Sequence, residues 1–293
     1  RLLEGFDIRA MGHNSADYIH TVVESAKLAF ADREAYYGDP EFVPVPLDGL
    51  LSRRYADLRR ALIDATRASL EQRPGDPVAM ASRRTNPAEA RAWGGGTVHV
   101  CSADRFGNLI AITPSGGWIP SSPVIETLGF PLGSRMQTFF LDESHPNALA
   151  PRKRPRTTLS PSLAMRDGEP YLAFGTPGGD QQDQWTLQFF LNVVDFEMNL
   201  QEAIEAPKFS TAHFPSTFYP HNARPGLLRI EARIDQRVRA ELSARGHQIE
   251  VRPAWSEGHV LAVELDRARG VLHGAADPRG QLTPVMAAQA IGW

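Results

Sequence analysis

Gly94-Gly95-Gly96-Thr97-Val98-His99-Val100-Cys101-Ser102-Ala103-Asp104, followed by Arg105-Phe106-Gly107-Asn108 and then Leu109-Ile110-Ala111-Ile112-Thr113-Pro114-Ser115, is the stretch on which the reading of this chain turns. Thr97–Asp104 and Leu109–Ser115 read as two strands around a turn, a hairpin signal. With the turn centred near Phe106, opposite residue numbers sum to about 212, which sets Ser115 across from Thr97. The glycine run ends on Thr97, so a hydroxyl stands at the first ordered residue. Threonine is a weak nucleophile unless a base accompanies it. A threonine that is itself an N-terminus has one, because its α-amine titrates near ~8. Attack of the same hydroxyl on the Gly96 carbonyl would free that amine, and glycine tolerates the backbone strain involved. The same stretch also fits a plain linker before a strand, and Ser115 also fits an ordinary surface serine.

Upstream of the hairpin the chain reads as helical. His13-Asn14-Ser15-Ala16-Asp17 offers a cap for a helix from Tyr18 to Tyr37. Ile19, Val22, Val23, Ala26, Ala29 and Phe30 recur along it at helical spacing, and Gly38-Asp39-Pro40 stops it. A second helix is expected from Ser52 to Arg67, and a flexible connector from Ala68 to Gly96. Downstream, strands are expected at Ser160–Arg166 and Tyr171–Gly175 around Asp167-Gly168. Helices follow at Gln181–Phe196, Leu200–Ala206 and Asp235–Arg245, the last closed by Gly246. Strands at Gln248–Arg252, Val260–Leu265 and Val271–Ala275 complete the pattern. Strands and helices in this mixed order imply a layered α+β or α/β fold.

Composition narrows the function classes. The 293 residues are 42% hydrophobic and 22% charged, with a formal net charge of −3. Such a balance gives no reason to expect nucleic acid or an anionic membrane as partner. No apolar run reaches the ~20 residues of a membrane span. The single cysteine, Cys101, excludes an internal disulfide and reads as an inert strand residue. No histidine spacing suggests a metal site, and no cofactor motif is present. The chain opens with Arg1 instead of Met, as a fragment would, and its compartment cannot be read from it.

Two further stretches carry chemistry. Tyr171-Leu172-Ala173-Phe174-Gly175-Thr176-Pro177-Gly178-Gly179-Asp180 runs from a strand through a glycine pair into a helix. Successive backbone N–H groups at a helix start suit an anion, including the oxyanion of acyl transfer. A tight strand-to-helix turn accounts for the same pattern. In Pro151-Arg152-Lys153-Arg154-Pro155-Arg156-Thr157-Thr158 the basic run reads as a solvated loop, and Thr157 and Thr158 are placed to face a substrate carboxylate.

Taken in order, these segments resemble the γ-glutamyltransferase family. The matches include Leu3-Glu4-Gly5-Phe6-Asp7, Met11-Gly12-His13-Asn14-Ser15-Ala16-Asp17 and Lys27-Leu28-Ala29-Phe30-Ala31-Asp32-Arg33. They continue through Gly96-Thr97-Val98-His99, Lys153-Arg154-Pro155, Pro177-Gly178-Gly179, Ala206-Pro207-Lys208-Phe209 and Asp277-Pro278-Arg279. The resemblance implies a four-layer αββα sandwich, the N-terminal-nucleophile hydrolase fold, made from a precursor that cuts itself in two. It implies that residues 1–96 end the large subunit, whose N-terminal part is absent here, and that 97–293 form the small one. Thr97 would be the nucleophile, Ser115 its supporting hydroxyl, and Gly178 and Gly179 the oxyanion hole.

The departures bear on substrate. The family's Asn-Gln-Met-Asp-Asp reads Ser134-Arg135-Met136-Gln137-Thr138 here, so the acid that meets a substrate α-ammonium is missing. Gly117 replaces an Asn, and Thr157-Thr158 replace two serines. Arg135 favours an acidic acyl group, because guanidinium grips carboxylate. The pattern is similar to the cephalosporin (glutaryl) acylase branch. The expected function is therefore acyl-enzyme chemistry on γ-glutamyl or glutaryl-type amides. The expected partners are a small acyl donor bearing a carboxylate and the rest of the large subunit. The rival reading is a homologue that binds anions but neither matures nor catalyses.

Overall fold

Ser15 opens the first long helix, accepting the Tyr18 N–H at 3.1 Å, and the helix runs from Ala16 to Tyr36. It ends where Gly38-Asp39-Pro40 interrupts the pattern. The structure is a computed structural model that describes residues 1–82, 96–116, 122–279 and 288–292. Contacts divide the chain into two compact units. One holds Arg1–Trp93, Arg135–Thr157 and Phe209–Val251, and the other holds Gly94–Ser134, Thr158–Lys208 and Arg252–Trp293. This division by packing crosses the chain several times, whereas the boundary expected after Gly96 is a covalent one. No helix among the described residues is long and apolar enough to cross a membrane.

In the first unit the Ala16–Tyr36 helix is buried on more sides than its apolar spacing implies. Ile19, Val22, Val23 and Phe30 are buried as expected, but Ala29 is exposed and Glu24 and Lys27 lie inside. The charges are paired: Lys27 Nζ meets Glu24 at 2.5 Å and Arg73 meets it at 3.0 Å. The helix from Ser52 is shorter than expected, Arg53–Arg60, because Asp64 draws the chain into a turn by accepting the Thr66 N–H and hydroxyl.

The flexible connector is corrected over its described part. Residues 68–82 are tied down by Ala68 N–H to the Arg245 carbonyl (2.7 Å), Gln72 Nε2 to the His213 carbonyl (2.6 Å) and Gly75 N–H to Asp32 (2.7 Å). These bonds come from segments distant in sequence, which composition does not reveal. The remainder of the connector, 83–95, lies outside the described residues.

The basic run is a loop that is solvated only in part, with Arg152 and Arg154 exposed and Arg156 buried. Arg154 bonds Asp39 at 2.7 Å and Glu41 at 2.9 Å, and buried Arg156 meets Glu34 at 3.0 Å. Burial raises the Glu34 pKa, but Arg156 and Arg33 outweigh it and hold the carboxyl down at about 2, against an ordinary 4.5. A depressed carboxylate stabilises the fold above its unfolded pKa, and this stability is lost as pH falls through the folded value. Melting curves between pH 5 and 2 should therefore show wild type losing stability faster than Glu34→Gln. Parallel curves would show that the Arg156 pair contributes nothing.

The second unit is built on an antiparallel sheet in which Val271–Ala276, Leu261–Asp266, Glu169–Gly175 and Ser162–Arg166 lie side by side. The turn at Asp167-Gly168 takes positive φ at both residues, as a two-residue hairpin requires. Leu172, Phe174, Ala262 and Ala275 form a core with Trp185, Phe189 and Val193 of the Gln182–Val194 helix and Leu200, Ala203 and Ile204 of the Leu200–Glu205 helix. Residues 173 and 175 alternate to the opposite sheet face, which the Val100–Ala103/Leu109–Ile112 hairpin covers. Among the described residues of this unit, helices, sheet and hairpin make three layers.

Candidate active site

Strand alternation sorts the start of the hairpin into two faces. Thr97 and His99 are buried while Val98 and Val100 are exposed. Val100 pairs with Ile112 and Ala103 with Leu109, so opposite numbers sum to 212, and Thr97 and Ser115 close the ladder as a bridge. Their hydroxyl oxygens lie 2.7 Å apart. The Ser115 hydroxyl also donates to the Gly96 carbonyl at 3.0 Å. Serine carries one hydroxyl proton and the carbonyl carries none, so Thr97 must be the donor to Ser115. The hydroxyl that would attack and the carbonyl it would attack thus share one partner.

The next rung repeats the polar pairing: His99 Nδ1 lies 2.8 Å from Thr113 Oγ1. Burial pushes the His99 pKa down to about 4, so the ring is neutral at physiological pH. Its imidazole fills the space beside Gly175, where an added Cβ would come within 2.3 Å of the ring. His99 lies two residues from Thr97, about 6.6 Å along a strand, and Gly175 lies three residues before Gly178. This contact gathers the hairpin start and the strand-to-helix turn into one part of the unit.

The turn needs its glycines for two separate reasons. Gly178 has φ 136° and Gly179 has φ 59°, both in the left-handed half of the map. A Cβ on Gly178 would also lie 2.3 Å from the Trp185 ring. Gly178→Ala should therefore cost about 1–3 kcal/mol of stability in backbone strain alone and displace Trp185. Denaturant titration beside the Trp185 emission spectrum reads both effects, and an unshifted midpoint with unchanged emission would contradict the packing.

Behind the turn, Thr176 Oγ1 accepts the His259 N–H at 3.1 Å, and the Lys208 stem and Trp185 ring close on Gly258. Lys208 pairs with Asp277 at 3.2 Å. Arg279 also pairs with Asp277 (3.0 Å) and donates to the carbonyls of Ile204 (3.0 Å), Glu205 (3.4 Å) and Ala206 (3.1 Å). Two segments separate in the sequence, 204–208 and 277–279, thus form one buried ionic cap on the C-terminus of the Leu200–Glu205 helix.

The sequence profile described as gamma-glutamyltranspeptidase matches residues 1–287. The chain belongs to the γ-glutamyltranspeptidase family. It is 33% identical over 297 residues to the acylase ACY 1 proenzyme of Pseudomonas sp. (strain SE83), covering 97% of this chain and 46% of that protein. It is 31% identical over 291 residues to the glutathione hydrolase proenzyme of Escherichia coli (strain K12), covering 95% and 46%. The solved structure of LmbA2991HD superposes with a TM-score of 0.85 at 49% identity, covering 96% of this chain and 49% of that one. The chain thus spans about half the length of the curated relatives it matches.

Within this γ-glutamyltranspeptidase-family chain, the residues expected to choose the substrate have different fates. Thr138 is wholly buried in the first unit, where its hydroxyl lies 2.8 Å from the Arg135 carbonyl and 3.0 Å from the Arg156 carbonyl. In this structure the side chain closes a 3-10 turn. Arg135 is half-buried over the Phe218 ring at 5.6 Å, and among the described residues no carboxylate pairs with it. Desolvation lowers its pKa. Thr157 is exposed and Thr158 buried. Gly94, Gly95 and Gly117 lie outside the described residues.

Other groups went unnoticed in the sequence. Thr113 has no signature beyond its rung in the hairpin. Gln182 and Trp185 look like ordinary helix residues. His20, Glu24 and His247 come close enough in the first unit to share an ion. However, Glu24 is already met by Lys27 and Arg73, and both His20 nitrogens are bonded, to His247 (2.9 Å) and the Asp64 carbonyl (2.8 Å). In that cluster Glu24 and His20 are engaged, and the Nδ1 of His247 has no partner among the described residues. Burial pushes the Cys101 thiol up to about 12, which disfavours the reactive thiolate.

Proposed function

We propose that this chain is the catalytic part of a self-cleaving N-terminal-threonine amidohydrolase or acyltransferase, acting through an acyl-enzyme on amides with a carboxylate-bearing acyl group of γ-glutamyl or glutaryl type. The observation that carries the reading is the Gly96–Ser115–Thr97 arrangement. In maturation, Thr97 Oγ1 attacks the Gly96 carbonyl carbon while Ser115 receives the hydroxyl proton and polarises that carbonyl. The acyl group moves from nitrogen to oxygen as the proton taken up by Ser115 passes on to the Thr97 nitrogen, which leaves as a free amine. Water then hydrolyses the ester to leave a Gly96 carboxylate and restore the Thr97 hydroxyl. In turnover, the freed amine serves as base for the same hydroxyl, and the N–H groups of Gly178 and Gly179 receive the oxyanion. The proton passes to the leaving amine, and water or a second amine takes the acyl group. Residues 1–96 then belong to the large subunit and 97–293 to the small one.

Arg135, with no described carboxylate beside it, and the Thr157-Thr158 pair support a carboxylate on the acyl group. Without an acid at position 138, a γ-glutamyl α-ammonium loses a charge-assisted bond worth roughly 1.5–3 kcal/mol. The full-length protein should therefore yield a fragment beginning at Thr97 and favour glutaryl over γ-glutamyl p-nitroanilide by about tenfold or more in kcat/KM. An intact chain after purification sinks the reading, and a preference for γ-glutamyl sinks its substrate half. Ser115→Ala should slow maturation by roughly a hundredfold or more.

A further inference from the structure

The N-terminal turn of the Gln182–Val194 helix carries polar groups that neither the fold nor the chemistry above uses. Gln182 is wholly buried, and its Oε1 accepts the Ser160 N–H at 3.2 Å. Because that N–H can only donate, the amide orientation is settled: the oxygen faces Ser160 and Nε2 faces away. Among the described residues Nε2 has no partner, nor has the hydroxyl of buried Thr158, nor the indole N–H of Trp185. Ser160 links the first two, its N–H on Gln182 and its hydroxyl 3.3 Å from the Thr158 carbonyl. Trp185 lies one turn beyond Gln182, with its ring against Gly178. The acids of this turn are engaged: the Ser160 hydroxyl donates to Asp183, and Asp180 has a partner of its own.

Unpaired buried donors are costly in a folded protein, and each calls for a partner. Here an amide, a hydroxyl and an indole all offer hydrogen at the positive end of a helix, three residues past the proposed oxyanion glycines. We propose that Gln182 is a specificity-determining residue, its Nε2 and the Thr158 hydroxyl donating to the terminal carboxylate of the acyl donor. The proposal rests on the acyl-transfer reading above and adds a residue to its substrate site.

Gln182→Glu keeps the shape and the acceptor facing Ser160 but turns the free donor into a charged acceptor, and Gln182→Met removes donor and acceptor together without adding a charge. In the full-length protein, Gln182→Glu should lower kcat/KM for glutaryl p-nitroanilide by roughly ten- to a hundredfold, mainly through KM. Butyryl p-nitroanilide, which has no carboxylate, should stay within about threefold, and Gln182→Met should fall between wild type and Gln182→Glu. Equal losses on both substrates would make Gln182 a packing residue, and no loss on either would mean that a water or another segment meets Nε2; each overturns the proposal. Calorimetric binding of glutarate to the same proteins gives a readout independent of turnover. It should weaken tenfold or more in Gln182→Glu, and a wild type that does not bind glutarate also overturns the proposal. A purified protein lacking a Thr97 N-terminus refutes the acyl-transfer reading and leaves this binding comparison to be judged by itself.

Discussion

Thr97→Ala is expected to leave the full-length protein as one uncut chain and to lower amide turnover by on the order of a millionfold, the scale seen when an enzyme loses its covalent nucleophile. The loss is double because one hydroxyl serves both steps. In the proposed mechanism it attacks Gly96 to make the N-terminus, and that N-terminus then supplies the base. Thr97→Ser keeps a hydroxyl 2.7 Å from Ser115 only if the loss of the methyl does not free the rotamer, so it should mature more slowly but completely. Gel analysis over days, N-terminal sequencing and p-nitroanilide turnover check these outcomes. Cleavage at Gly96–Thr97 in the alanine variant would assign the attack to another group, and turnover by an uncut chain would remove the α-amine from the mechanism.

Asp277→Ala should destabilise the protein by about 3–5 kcal/mol, the cost of leaving buried charge uncompensated. Asp277 is fully buried beside Lys208 and Arg279, themselves almost inaccessible, and without it two buried cations lose the carboxylate they share. A shift of this size lowers the melting temperature by roughly 10 °C in a chain of this length. Arg279→Lys should be nearly as damaging, since one ammonium cannot span a carboxylate and three carbonyls. The test is denaturant unfolding of the matured protein. A midpoint within experimental error of wild type would mean that the ionic cap contributes little. The Lys208 stem packs on Gly258 beside Trp185 and Gly178, so activity should fall together with stability.

The hairpin is legible in the sequence because its information is local. Period-two alternation, a Gly107-Asn108 turn and the 212 sum put Ser115 opposite Thr97, and the observed register agrees. Helix starts at Ser15, Ser52 and Asp235 are legible for the same reason, since a cap and the N–H it accepts lie within three residues. The short Phe209–Thr211 and Leu227–Glu231 strands escape a sequence reading: their pairing partners are distant, and few residues carry the pattern. So does the order of residues 68–82, which borrow their bonds from Asp32, His213 and Arg245.

The site divides along the same line. By itself the sequence determined a threonine after glycine, a serine across the hairpin, a glycine pair at a strand-to-helix turn, and the family to which the chain belongs. Only the tertiary structure decided that Ser115 bonds the Gly96 carbonyl, so that Thr97 must donate to it. Only the structure showed Thr138 buried against backbone carbonyls, Arg135 without an acid among the described residues, and Gln182 with a bare donor. Whether a polar side chain is spent or available depends on burial and on partners far away in the chain, and local pattern carries neither.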